Sequence, residues 1–170
     1  MSIFARILIP VDGSPQSERA IDLALDVART CGGDLTFCHV VDRSRIAIET
    51  SNIPFADPTP LLDDACAEGE RLLANAAGRA TALGLSVRTA LSDGAPVDAI
   101  LKLAHDEGCD LIVMGSHGRR GLERFVVGST TEGVMRESDV PVLVVRVVKE
   151  KQKVKAAVSG RVAAAVPTPG

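Results

Sequence analysis

The sequence predicts an α/β protein built on an open, five-stranded parallel sheet with helices on both faces. Three observations carry this. Short apolar runs of strand length alternate along the chain with longer runs whose apolar residues recur at helical spacing. Gly, Pro and Asp clusters separate them, as at Asp12-Gly13-Ser14-Pro15 and Asp93-Gly94. The run Leu111-Ile112-Val113-Met114 is apolar throughout, which suits a parallel strand buried on both faces better than a half-solvated antiparallel one. Right-handed crossovers then distribute the helices over the two faces.

The elements follow in order. Ile3 to Val11 is a strand, and Ser14 with Pro15 supplies an N-cap and first helical residue for the apolar face Ile21, Ala24, Leu25 and Ala28, which stops near Gly32-Gly33. Leu35 to Val41 is the second strand. Asp42 to Pro60 has no clean period and carries Pro54, Pro58 and Pro60, so it reads as a long, mobile loop. A helix from Leu61 to about Leu83 places Leu62, Ala65, Leu72, Leu73, Ala76 and Ala80 on one side and ends at Gly84. Ser86 to Leu91 is a short third strand chosen mainly by its place between helices, and Pro96 opens a helix bearing Val97, Ile100, Leu101 and Ala104. After the fourth strand, a helix runs from Ser129 to about Glu137, and Asp139 to Arg146 is the last strand, with Pro141 marking its start or an edge. The sheet domain spans 1–148, and 149–170 reads as a flexible tail.

At 170 residues and 46% hydrophobic, the chain has the size of one domain and enough apolar material for a substantial core. Aromatic residues are 2% and Trp and Tyr are missing, which disfavours a base-stacking nucleic-acid platform, and a net charge of -3 disfavours non-specific nucleic-acid binding. Cys31, Cys38, Cys66 and Cys109 show no CxxC or Cys/His ligand spacing and read as reduced, mostly buried thiols. The apolar start is too short for a signal peptide, and no run is long enough to span a bilayer. A soluble, cytoplasmic protein without a membrane or nucleic-acid partner is expected.

The chemistry concentrates after the fourth strand. Gly115 and Gly118, then nine residues, then Gly128-Ser129-Thr130 form a glycine loop between strand and helix, where close backbone approach and a helix N-terminus favour an anion. Arg119, Arg120 and Arg124 add the cations a polyphosphate needs, although a solvated basic loop has the same composition. Ser129 with Glu132 also fits a capping box, so the serine has a stability role beside a phosphate role. If the strand order is the expected 3-2-1-4-5, an order the elements alone do not fix, Asp12 and Gly115 lie at the crevice where open α/β sheets bind ligands. No GK[ST] follows the glycines and no G-x-G-x-x-G follows the first strand, so neither a P-loop nor a dinucleotide fingerprint is present. His117 has no positioned nucleophile and reads as a surface-loop residue.

The pattern G-x2-G-x9-G-[ST], matched by Gly115, Gly118, Gly128 and Ser129, resembles the ATP-binding branch of the universal stress protein family. Ile9-Pro10-Val11-Asp12-Gly13-Ser14, His39-Val40-Val41-Asp42 and Val140-Pro141-Val142-Leu143-Val144-Val145 resemble it too, in the same order, over Ile3 to Val147. The resemblance implies a Rossmann-like, adenine nucleotide alpha hydrolase-like fold and a nucleotide-dependent stress-response protein acting as a homodimer through Val142–Val145, with a protein partner it does not name. It implies ATP as cofactor, with Mg²⁺ reached indirectly through Asp12. Pro10, Val11, Val40 and Met114 would line the adenine end, Asp12 would reach the ribose or metal-phosphate region, and Gly115, Gly118, Arg119, Gly128, Ser129 and Thr130 would hold the phosphates. From the residues alone, Asp12 is equally a turn residue capping the first helix, and the two valines equally core. No catalytic residue is assigned. The alternatives are a slow ATPase or phosphoryl or nucleotidyl transferase of the same α/β class, and a nucleotide-free interaction module.

Overall fold

The computed structural model describes residues 3–51, 57–117 and 127–146. Its sheet has five parallel strands in the order β3-β2-β1-β4-β5, formed by β1 (Arg6–Pro10), β2 (Asp34–Val41), β3 (Val87–Asp93), β4 (Leu111–Gly115) and β5 (Val142–Val145). Between them lie α1 (Pro15–Cys31), α2 (Arg43–Ser51), α3 (Thr59–Ala82), α4 (Pro96–Asp106) and α5 (Ser129–Glu137). The expected fold class and strand order are those observed.

Alternation along the buried strands divides the core in two. Ile7, Ile9, Leu35, Phe37, Leu111 and Val113 face α1 and α3, whereas Leu8, Cys38, Ile112 and Met114 face α4 and α5. Ile7, Leu8 and Ile9 have no exposed surface, so each contributes roughly 1.5–3 kcal/mol of burial free energy, and β1 is the centre of both layers. The helix punctuation acts as the sequence predicts for α1: the Ser14 hydroxyl accepts the Ser17 N–H at 3.1 Å, Pro15 is the first helical residue, and Gly32 closes the helix at φ 69°, a conformation that favours glycine.

Several boundaries differ from expectation. The long loop after β2 is helical from Arg43 to Ser51: Asp42 caps it by accepting the Arg45 N–H at 3.1 Å, and Arg45 pairs with Glu49 one turn on. Thr50 is its only buried residue, so no apolar period announced it. Helix α3 begins at Thr59, β3 runs to Asp93 because all seven residues pair with β2, and β1 starts only at Arg6. Strand β5 is confined to Val142–Val145, directly after Pro141, at the sheet edge. Ser129 is the first residue of α5, not its cap; Gly128 occupies that position with no side-chain cap bond, so the capping box with Glu132 does not form. All four cysteines are free thiols, but only Cys38 and Cys109 are buried. The tail from 149 lies outside the described residues, as do 118–126. Among the described residues, no helix is long and apolar enough to cross a membrane.

Candidate functional site

Strand order creates the site. β1 and β4 are neighbours whose following helices, α1 and α5, cover opposite faces, so the chain diverges at their carboxyl ends and leaves a cleft. The cleft measures about 650 Å³, within the usual range for small-molecule sites.

Its floor comes from strand ends. Pro10 ends β1 and Val11 and Asp12 follow it, Cys38, His39 and Val40 come from β2, and Met114 and Gly115 from β4; Pro96 and Ile100 of α4 close the apolar side. β1 pairs with β2 only as far as Pro10 opposite Cys38, after which the Val11 N–H donates to the Cys38 carbonyl and the chain turns away. No β1 residue is therefore opposite Val40. Asp12 holds the turn: its Oδ1 accepts the Ser14 N–H at 3.0 Å, and its own N–H donates to Ser17 Oγ at 3.2 Å.

The opposite wall is the start of α5, with Gly128, Ser129, Thr130 and Thr131. The excursion between β4 and α5 is closed at its base. The Gly128 N–H donates to the Ser116 carbonyl at 2.8 Å, the Ser116 N–H to the Val145 carbonyl at 2.8 Å, and the buried Thr131 hydroxyl to the Gly115 carbonyl at 2.9 Å. Gly115 itself has a packing reason. A Cβ there would stand 2.8 Å from the Gln16 carbonyl carbon and 3.0 Å from the Ser17 nitrogen, so α1 can approach β4 only over glycine.

A third side, absent from the sequence expectations, is polar and helical: Asp42, Arg45, Ile46 and Glu49 from α2 and the residue before it, with Leu61 and Ala65 of α3. Of the expected site residues, Pro10, Val11, Asp12, Val40, Met114, Gly115, Gly128, Ser129 and Thr130 all line this one cleft, while Gly118 and Arg119 lie outside the described residues. His117 is half-buried and lines the cleft, which corrects its reading as a surface residue. Its Nδ1 is 3.2 Å from Ser116 Oγ, but that serine is only 3% exposed, which keeps the hydroxyl from an incoming substrate. Burial pushes the Cys38 thiol up to about 12, with the neighbouring Cys109 adding to the rise, so the thiol on the floor is a protonated packing group. Alternation could have revealed Cys38, which shares a face with Val40, and the opening turn of α4 could have revealed Pro96 and Ile100. No periodic signal pointed to α2.

An open, doubly wound α/β sheet with its cleft at the switch point places the chain in the Rossmann-like class of folds. Within that class the chain belongs to the universal stress protein family, whose family model matches residues 4–146. Universal stress protein YxiE of Bacillus subtilis is 32% identical over 151 residues, covering 85% of this chain and all of that one. Among solved structures, that of the hypothetical protein MJ0577 superposes with a TM-score of 0.75 at 30% identity, covering 87% of this chain and 99% of the other. A universal stress protein solved in complex with cAMP superposes with a TM-score of 0.60 at 26% identity, covering 86% of this chain and 98% of that one.

Proposed function

We propose that the chain binds an adenine nucleotide, ATP in the first instance, and acts as a cytoplasmic, dimeric, nucleotide-dependent regulator of a stress response. The observation that carries this is the convergence of an apolar floor, a strand-end carboxylate and a helix N-terminus on one cleft. Val11, Val40, Met114 and Ile100 suit the faces of a purine, and the β2 backbone at Val40, with no β1 residue opposite, suits its hydrogen-bonding edge. Asp12 suits a ribose hydroxyl. With the Gly128 N–H already donated to the Ser116 carbonyl, Ser129 and Thr130 begin α5 with N–H groups that the helix leaves without intrahelical partners and that no capping side chain takes up, a setting for phosphate oxygens. The relative bound to cAMP supports a nucleotide at this fold's cleft.

The charges in the described part of the cleft are Asp12, Asp42 and Glu49 against Arg45, a balance that would repel a bare triphosphate. Their hard oxygens fit Mg²⁺, and no group of three or more His, Cys, Asp or Glu among the described residues forms a metal cage. Mg²⁺ would accordingly enter with the phosphates, with Asp12 as its nearest protein charge, and supply neutralisation. Gly118 and Arg119 belong to the same proposed phosphate loop. Dimerisation would use β5, an edge strand whose apolar Val142–Val145 is only partly covered and whose Leu143 is 37% exposed.

Acid extraction of freshly purified protein, followed by chromatography, tests the reading directly. Recovered ATP supports it, recovered ADP or AMP shifts it toward turnover, and an empty protein whose unfolding does not shift with saturating MgATP refutes it. Bound ligand at a hundredfold excess over Kd adds about 2.7 kcal/mol. Replacing both Gly118 and Gly128 by bulky residues should abolish that gain. A monomer at micromolar concentration by ultracentrifugation would remove the dimer.

A further inference from the structure

We infer that His39, seated against Gly69 of α3, is a positioning residue for the cleft: its imidazole holds the Val11 carbonyl and so fixes the bend through Val11 and Asp12. Its consequence for binding rests on the nucleotide reading above; the contact itself does not depend on it.

His39 Nδ1 is 2.7 Å from the Val11 carbonyl oxygen. A carbonyl has no proton to give, so Nδ1 carries the hydrogen and donates it. The bond lies just past the last β1–β2 pair, Pro10 opposite Cys38, where the backbone ladder no longer holds β1 to β2. Val11 is only 3% exposed, and a buried carbonyl beyond the ladder needs such a donor. On the other side of the bend, Asp12 is held by Ser14 and Ser17 of the α1 cap. The strand end is thus tied to β2 through His39 and to α1 through its cap. Were the imidazole replaced by an apolar group, the buried Val11 carbonyl would lose its donor, and the bond from the Val11 N–H to the Cys38 carbonyl would be the remaining tie to β2 there.

Gly69 shows that the ring's place is built in. It lies inside the 24-residue helix α3, it is buried, and helix interiors disfavour glycine. A Cβ at that position would stand 2.5 Å from His39 Cδ2 and 2.7 Å from Leu91 Cδ1, so the helix can pack over β2 only because no side chain intervenes. Successive residues of β2 then divide the work: Cys38 and Val40 belong to the face of α4 and α5, and His39, although it also borders the cleft, sets its ring against α3 and holds the neighbouring strand end.

A double-mutant cycle in urea tests the contact without ligand. Gly69→Ala should lower the unfolding midpoint when His39 is present, and leave it unchanged or raise it in a His39→Ala background, where the ring is gone and the helix prefers alanine. Equal losses in both backgrounds would overturn the seat. Calorimetric titration of the full chain with MgATP tests positioning. His39→Leu should weaken ATP by about tenfold, the worth of one buried hydrogen bond, and His39→Asn, whose side-chain NH₂ can replace Nδ1–H, should stay within about threefold of the parent. A folded His39→Leu protein with parental affinity, or an Asn variant no better than Leu, would overturn the positioning role. A parent chain that binds no ATP would overturn the function proposed above together with this binding consequence, and the urea cycle would still decide the His39–Gly69 contact.

Discussion

The two ends of the sheet are both polar, yet they spend their hydrogen bonds differently. At the amino end, Asp110 closes the structure on itself: one carboxylate oxygen accepts the Ala5 N–H at 2.8 Å, the other the Arg6 N–H at 3.1 Å, while the Asp110 N–H donates to the Arg6 carbonyl and Arg6 Nη1 to the Glu107 carbonyl. At the carboxyl end, Asp12, Ser14, Ser17, His39 and Thr131 fix the backbone around a cleft that stays open. The difference separates residues that hold the fold from residues that hold a space. Substitutions at the first end should change stability alone; at the second, stability and binding should come apart.

The largest effect should come from Gly115→Val, which breaks the comparison because its cause is packing although it lies at the binding end. The new side chain meets the Gln16 and Ser17 backbone, so α1 must move; a loss of about 3 kcal/mol or more is expected from urea unfolding. Asp110→Ala should follow, costing about 1–2 kcal/mol by removing the acceptor of the exposed Ala5 and Arg6 N–H groups, with ATP affinity of the folded fraction unchanged in calorimetry.

Alkali probes both ends together through their buried thiols. Cys38 on the cleft floor rises from 9.0 to about 12, chiefly by burial, and Cys109 at the amino end to about 11 by burial, then by the carboxylates of Glu107 and Asp110. A raised acid stays protonated in the folded chain while the unfolded chain ionises, so stability is intact below pH 9 and falls as pH rises toward 11 to 12. The slope for Cys38 is about 1.4 kcal/mol per pH unit. Urea midpoints between pH 8 and 10.5 would show it, and Cys38→Val should flatten it. The smallest effect sharpens the contrast most. Ser129→Ala removes a hydroxyl that makes no cap bond, so stability should hold within about 0.5 kcal/mol while MgATP affinity drops by about tenfold.

The sequence made the sheet legible because its strands are buried on both faces and bounded by turn residues: β4 and the cap at Ser14-Pro15 are where their composition puts them. Helix α2 was illegible because it buries almost nothing, and its local support, such as the cap at Asp42 and the Arg45–Glu49 pair, is polar and without an apolar period. In the site, glycines and the strand-end Asp12 were visible as types that suit a ligand. The residues that hold them were not. Asp110, His39 and Thr131 act on partners 104–105, 28 and 16 residues away, respectively, distances over which a local pattern has no reach. Gly115 shows the opposite error, since packing against α1 alone is sufficient reason for it.

The placement of β1 has a consequence for how the protein is made. The earliest of the five strands to be synthesised is the centre of the finished sheet, paired with β2 on one side but on the other with β4, Ile7 opposite Leu111. At elongation rates of about 5–20 residues per second, one flank of that strand waits roughly 5–20 seconds for its neighbour. Through that interval the nascent chain exposes an apolar ribbon, so its period of greatest vulnerability to misassociation falls during synthesis, and chaperone demand should end when residues near 115 emerge.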